Sequence, residues 1–264
     1  KVILRSADKS RRVDTFTAEE WEVLYKSMRR WVEWDEIPHQ REAQTKYGKA
    51  SNSVKEMNEY QRRIEWTRRN VLREFVLISA NLGTRPVSEL LNIKWRDVTV
   101  KKTKFSNFYS EGKDEWKLTC DVEIDSRKTG YRSVNGIAGR YFNRLREFYE
   151  SEGVEVSPDD FVFIDLEGRR KGQQIDKYVL NRLFRELIHY CELTRIKFTP
   201  YHLRHFYITQ RLMNGVDIVL LATNAGNSPK IIYDTYSHIR TSIATQELNQ
   251  QRRRSSLEEV GIEF

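Results

Sequence analysis

The chain has 264 residues, enough for one large domain or two modest ones whose core needs no disulfide staple. Its two cysteines, Cys120 and Cys191, supply neither a disulfide framework nor a paired metal site, and no apolar run approaches the roughly 20 residues that span a membrane. With 46 Lys and Arg against 38 Asp and Glu, the net charge of +8 favours a polyanionic partner without naming one. A reducing, cytoplasmic setting is expected, with each cysteine a small buried hydrophobe. Because the first residue is Lys1 and not Met, a fragment or a processed product is expected.

Residues 1–15 are polar and basic and read as a linker, with structure beginning at Phe16. Thr17-Ala18-Glu19-Glu20 forms a capping box, Phe16 can staple onto Trp21, and Leu24, Tyr25, Met28 and Trp31 continue an apolar helical face. Residues 35–54 lack a period and read as a loop. A second helix is predicted from Glu56 to Leu82, with Arg62, Arg63, Arg68, Arg69 and Arg73 on a solvated face. A short helical piece at Glu89–Asn92 precedes two strands, Trp95–Lys101 and Trp116–Ile124, that form a small antiparallel sheet. Apolar spacing then predicts a helix over Ile137–Tyr149, a short buried strand at Phe161–Ile164 and a helix over Val179–Cys191. From Pro200 onward the chain reads as nearly all helical, with turns near Gly215 and Gly226. The fold class expected is mainly α with a small antiparallel β-sheet, α+β.

Three separated stretches carry the chemistry. The first runs Gly83-Thr84-Arg85-Pro86-Val87-Ser88-Glu89, then Leu90-Leu91-Asn92-Ile93-Lys94-Trp95-Arg96-Asp97. The second is Ile124 to Val134, with a Lys128-Thr129-Gly130 turn. The third combines Pro200-Tyr201-His202-Leu203-Arg204-His205-Phe206, Ala225-Gly226-Asn227-Ser228 and Thr235-Tyr236-Ser237-His238. Together they resemble the catalytic domain of tyrosine recombinases of the phage-integrase type: a first-arginine motif, a lysine hairpin, a His-x-x-Arg box, a Gly-His-Ser turn and a Tyr-x-His segment, in that order. The resemblance covers about residues 16–240. Position 227 lies nine residues before Tyr236, as the corresponding histidine does in the family.

Four departures are visible. Three residues separate Arg85 from Glu89 where the commonest family version has two. The interval from Arg85 to Lys128 is long, with residues 101–115 as the insertion. Tyr201 replaces the first histidine of His-x-x-Arg, and Asn227 replaces the later histidine or tryptophan. Both replacements can donate a hydrogen bond to phosphate, but neither serves as a histidine acid or base near neutral pH.

The resemblance implies that Tyr236 attacks a DNA phosphodiester to form a 3′-phosphotyrosyl ester, with Arg85 and Arg204 neutralising charge on the nonbridging oxygens. Lys128 is implied as the general acid for the 5′-oxygen, with Tyr201 and Asn227 as phosphate contacts. No cofactor and no metal are implied. Each residue also has a plainer reading. Arg85 can cap the preceding helix, Arg204 can pair with an acidic neighbour, Asn227 can end a helix, and His205 can be structural; His202 or His205 can partly compensate for Tyr201. The implied partners are double-stranded DNA, further copies in a tetramer on DNA, and an accessory DNA-bending or excision factor, in the nucleoid of a bacterial or phage-infected cell. Residues 241–264 form a helical tail of the kind that family members exchange between protomers. The competing expectations are a type IB topoisomerase or telomere resolvase, and a catalytically silent DNA-binding relative.

Overall fold

The structure, a computed structural model, describes residues 13–44, 50–105, 115–126 and 130–236. Helix α1 (Ala18–Trp31) opens as the sequence predicts: Thr17 accepts from the Glu20 N–H, and Glu20 accepts in return from the Thr17 N–H. The ring of Phe16 meets Trp21 edge-on and stacks on Phe198 at 4.2 Å, which ties the start of α1 to the chain ahead of the later helices. Helix α2 (Glu59–Leu82) is the spine, capped at its start by Asn58 and at its end by Gly83. It packs against α3 (Gly139–Ser151), α4 (Lys177–Tyr190) and α5 (Tyr201–Met213), while α1 packs on α4. The short α6 (Ile218–Ala225) follows, and a helical stretch over 229–236 ends the described chain. Among the described residues no helix is long and apolar enough to cross a membrane.

Strands β3 (Val98–Phe105), β4 (Glu115–Ser126) and β5 (Gly130–Gly136) form one antiparallel sheet in that order. Val122 pairs with Val98 on one side and Val134 on the other, so one face alternates apolar residues inward. That face buries Cys120, Val122, Ile124 and Val134, and α3 covers it. The fold class is as expected, mainly α with this sheet on one side.

Three expectations change. Residues 35–54 are not simply a loop: β1 (Gln40–Gln44) and β2 (Ala50–Glu56) pair as an antiparallel hairpin with a bulge. Backbone pairing needs no apolar alternation, so this polar stretch gives no periodic signal. The predicted strand at Phe161–Ile164 is held by two isolated bridges, from Lys94 to Phe161 and from Ile164 to Gln174. The arginines of α2 are not a solvated face. Arg69 is buried, donates to the carbonyls of Trp31 and Glu36, and lies over the Trp31 ring; Arg62 donates to the carbonyls of Trp34 and Ile37, and Arg68 pairs with the buried Asp165. The heads of Arg62 and Arg69 bond carbonyl groups in and after the last turn of α1.

Candidate active site

Helix α2 stops at Gly83, whose φ of +69° terminates the helix in the left-handed region. A Cβ there would lie 2.1 Å from the Tyr207 ring, so glycine is also required by the close approach of α5. The chain then enters a helical turn in which the N–H groups of Glu89 and Leu90 both donate to the Arg85 carbonyl. This turn explains the spacing of the first motif. It sets Arg85 and Glu89 four residues apart on one side, and the Glu89 carboxylate accepts from the Arg85 N–H at 2.9 Å and from its Nη1 at 2.5 Å. Arg85 Nη2 donates to the Gly226 carbonyl at 2.8 Å and to Asn227 Oδ1 at 3.4 Å.

Arg204 sits one turn into α5 and is 1% exposed. Its Nη1 donates to the carbonyls of Gly83 (2.6 Å) and Ala225 (2.5 Å), while its buried Nη2 has no hydrogen-bond partner among the described residues. A buried guanidinium nitrogen left unbonded beside a cavity is a donor held ready for an anion. Burial and the neighbouring Arg85 both disfavour charge on Arg204, the direction expected of a cation waiting for a counter-ion.

A third guanidinium joins them. Arg132, on the inward face of β5 opposite Ile124, donates from Nη2 to Glu89 Oε2 at 2.7 Å and from Nε to the Asn224 carbonyl at 3.4 Å. Burial alone would raise the Glu89 carboxyl, but the bonds from Arg132 and from Arg85 outweigh it and hold the group below its ordinary range. All three arginines thus rest on the carbonyl end of α6, where the helix dipole is negative. Gly226 makes this possible: its φ is +67°, and a Cβ there would lie 2.6 Å from the Arg132 Cζ.

Tyr236 closes the site. It is 2% exposed, and its hydroxyl lies 2.5 Å from His205 Nδ1. Burial raises its phenol above the ordinary tyrosine value, and the nearby Arg204 charge opposes that rise. Arg85, Arg132, Arg204, Asn227 and Tyr236 line one open cavity of about 690 Å³. Tyr201, at the first turn of α5, lines the same cavity with its ring edge-on to His205 at 4.9 Å. Tyr233, the alternative tyrosine in the last segment, is exposed.

Of the six residues predicted from the sequence, the structure therefore brings Arg85, Tyr201, Arg204, Asn227 and Tyr236 together, and Lys128 lies outside the described residues. Asn227 ends α6, its N–H donating to the Ala222 carbonyl, and it also lines the cavity. Arg204 does not pair with an acidic neighbour in the manner expected of a structural arginine; its bonds go to carbonyls. Sequence reasoning gave no role to Arg132. The alternation of β5, where Val134 is buried two residues later, would have pointed it inward. His205 was available from the helical spacing, since Tyr201, Arg204 and His205 stand at i, i+3 and i+4.

Comparison with known proteins identifies the fold. The model of the phage integrase family matches residues 50–242. Among solved structures, the XerH site-specific recombinase bound to palindromic difH substrate, in a post-cleavage complex, superposes with a TM-score of 0.60 at 16% identity, covering 94% of this chain and 56% of that one. The XerA recombinase gives 0.54 at 18% identity over 92% of this chain and 66% of that one. The Tn1549 transposon integrase in complex with transposon right end DNA gives 0.50 at 13% identity over 89% and 66%. The chain thus spans between about half and two thirds of the length of these structures. No curated protein matches the sequence. Matched by the family model over most of its length and folded as the tyrosine recombinases fold, the chain belongs to the phage integrase family.

Proposed function

We propose that this chain is the catalytic part of a site-specific DNA recombinase, or integrase, which cuts and rejoins double-stranded DNA through a 3′-phosphotyrosyl ester at Tyr236. One observation carries the reading. A tyrosine and a buried arginine whose Nη2 has no partner among the described residues line the same open cavity, beside a second arginine clamped by a carboxylate. A phosphodiester repels nucleophiles, and attack on it adds charge to the nonbridging oxygens; preorganised guanidiniums offset that charge most effectively where water is scarce. Arg85 and Arg204 take that role, with Tyr201 and Asn227 as further donors to the phosphate. Tyr236 forms the P–O bond, the P–O5′ bond breaks, and Lys128 protonates the departing oxygen. The ester keeps the energy of the broken bond, so the 5′-hydroxyl can attack it and reseal the strand without ATP.

The Tn1549 transposon integrase is in complex with transposon right end DNA, and the net charge of +8 suits a DNA partner here. Within the proposal, residues 16–240 form the catalytic domain, residues 241–264, which lie outside the described residues, exchange between protomers, and a tetramer assembles on DNA in the nucleoid with an accessory DNA-bending or excision factor. The test is covalent trapping on a pool of nicked suicide duplexes with a randomised site. An SDS-resistant adduct whose peptide maps to Tyr236, and which Tyr236→Phe abolishes, supports the reading. An adduct that survives in Tyr236→Phe, or no adduct from the parent, overturns it.

A further inference from the structure

From the contact between the two side chains we infer that His205 is a catalytic residue: its Nδ1 takes the phenolic proton of Tyr236 as the strand is cut and returns it when the strand is sealed. This rests on the recombinase reading above and assigns the one proton transfer that the arginines and Lys128 leave open.

Among the described residues that line the cavity, few can accept a proton. Asn227 has an amide, which takes no proton, and Tyr201 has a phenol, which is no base near neutral pH. Arg85, Arg132 and Arg204 are cations. His202 is occupied elsewhere: its Nδ1 stands 3.0 Å from both the N–H and the hydroxyl of Thr199. The His205 imidazole remains, 2.5 Å from the attacking oxygen. Its position is set by α5, where Tyr201 lies edge-on to one side and His202 to another, with ring centroids 4.9 and 6.0 Å away. With its hydrogen on Nε2, the ring offers the Nδ1 lone pair to the hydroxyl.

Electrostatics make the ring a usable acceptor. Burial, the His202 ring and the Arg204 guanidinium push His205 down to about 4, so the imidazole is neutral and available throughout the physiological range. A phosphodiester entering the cavity brings negative charge beside the ring and raises its basicity when the proton must move, while the guanidiniums make the phenol a better acid. The groups that face the ring are Arg204, Tyr201 and His202 on its own helix and Tyr236 on the segment packed against it; Arg85 lines the same cavity. The step balances. The P–Oη bond forms as the P–O5′ bond breaks, the phenolic proton goes to Nδ1, and a proton from Lys128 goes to the 5′-oxygen. Sealing reverses each transfer.

Single-turnover cleavage of a nicked suicide duplex, selected with the parent protein from the randomised pool, tests this across a range of pH. His205→Ala should cleave about 10²- to 10⁴-fold more slowly. Its rate should climb with pH where the parent is flat, because hydroxide then takes the proton, and added imidazole should restore at least tenfold. His205→Asn keeps the packing and a hydrogen bond to Tyr236 but takes no proton, so it should be as slow as the alanine variant and unresponsive to imidazole. The asparagine variant decides the matter should the alanine variant fail to fold. Parental rate and pH profile in either variant would overturn the assignment of His205 while leaving the recombinase reading intact. A parent that forms no adduct overturns both.

Discussion

Glu89→Gln isolates what holds the arginine cluster together. The Glu89 carboxylate is 3% exposed and accepts from the Arg85 N–H (2.9 Å), Arg85 Nη1 (2.5 Å), Arg132 Nη2 (2.7 Å) and Arg132 Nη1 (3.3 Å). Glutamine fills the same space but keeps one acceptor oxygen, and its NH₂ group turns a donor toward donors. Two guanidiniums then share a buried site without the Glu89 charge between them. Removing one partner of a buried pair costs about 3–5 kcal/mol. At roughly 2–4 °C per kcal/mol for a chain approaching this size, the melting temperature should fall by about 6–20 °C. Thermal unfolding followed by circular dichroism at neutral pH measures it, with the exposed Glu147→Gln as a control expected within about 0.5 kcal/mol of the parent. The sign of the pH dependence is a second check. Because Glu89 is held below its ordinary value, its contribution is complete above the ordinary carboxylate range and fades as pH falls through the folded value. The gap between parent and variant should therefore narrow in acid. A variant melting within about 2 °C of the parent, or a gap that widens in acid, would refute this account of the cluster.

Three further outcomes are expected. Arg85→Ala and Arg204→Ala should each lose about 3–4 kcal/mol of transition-state stabilisation in single-turnover cleavage, whereas a 5′-bridging sulfur, whose thiolate leaves without a proton, should rescue Lys128→Ala alone; equal rescue of all three would remove Lys128 as the acid. Asn227→Ala should slow cleavage by an amount equivalent to roughly 1–3 kcal/mol, and Asn227→His should stay active; a parental rate in the alanine variant makes position 227 a turn residue only. Gly226→Ala should cost about 1–2 kcal/mol for a left-handed backbone, plus displacement of the Arg132 guanidinium that lies 2.6 Å from the new Cβ, and denaturant titration should show the loss.

Local signals in the sequence were reliable where the chain satisfies itself. The capping box at Thr17 and the run that forms β4 are visible because their partners are near in sequence or share a period, whereas β5 was not predicted as a strand. The motif order around Arg85, Arg204 and Tyr236 marked the site, since three distant stretches matched a single family. What stayed hidden depends on tertiary contact. Arg69 looks like a surface residue until Trp31 and Glu36 turn their carbonyls to it, and the β1–β2 hairpin has no apolar pattern to read. His205 was legible as a histidine beside the second arginine, but its role waits on the packing of the 229–236 segment against α5, which nothing at position 205 encodes.

The charge around the cavity has a consequence for the lifetime of the protein. Among the described residues, the charged side chains that line it are three guanidiniums, with the Glu89 carboxylate behind them and carbonyl dipoles as the other offset. An anion bound there offsets repulsion among the guanidiniums, so its binding is linked to folding: at a hundredfold excess over its dissociation constant, an occupant adds about 2.7 kcal/mol of stability. Occupied copies would open less often to proteases than idle ones, so occupancy of the cavity, and not synthesis alone, would set how long each molecule persists.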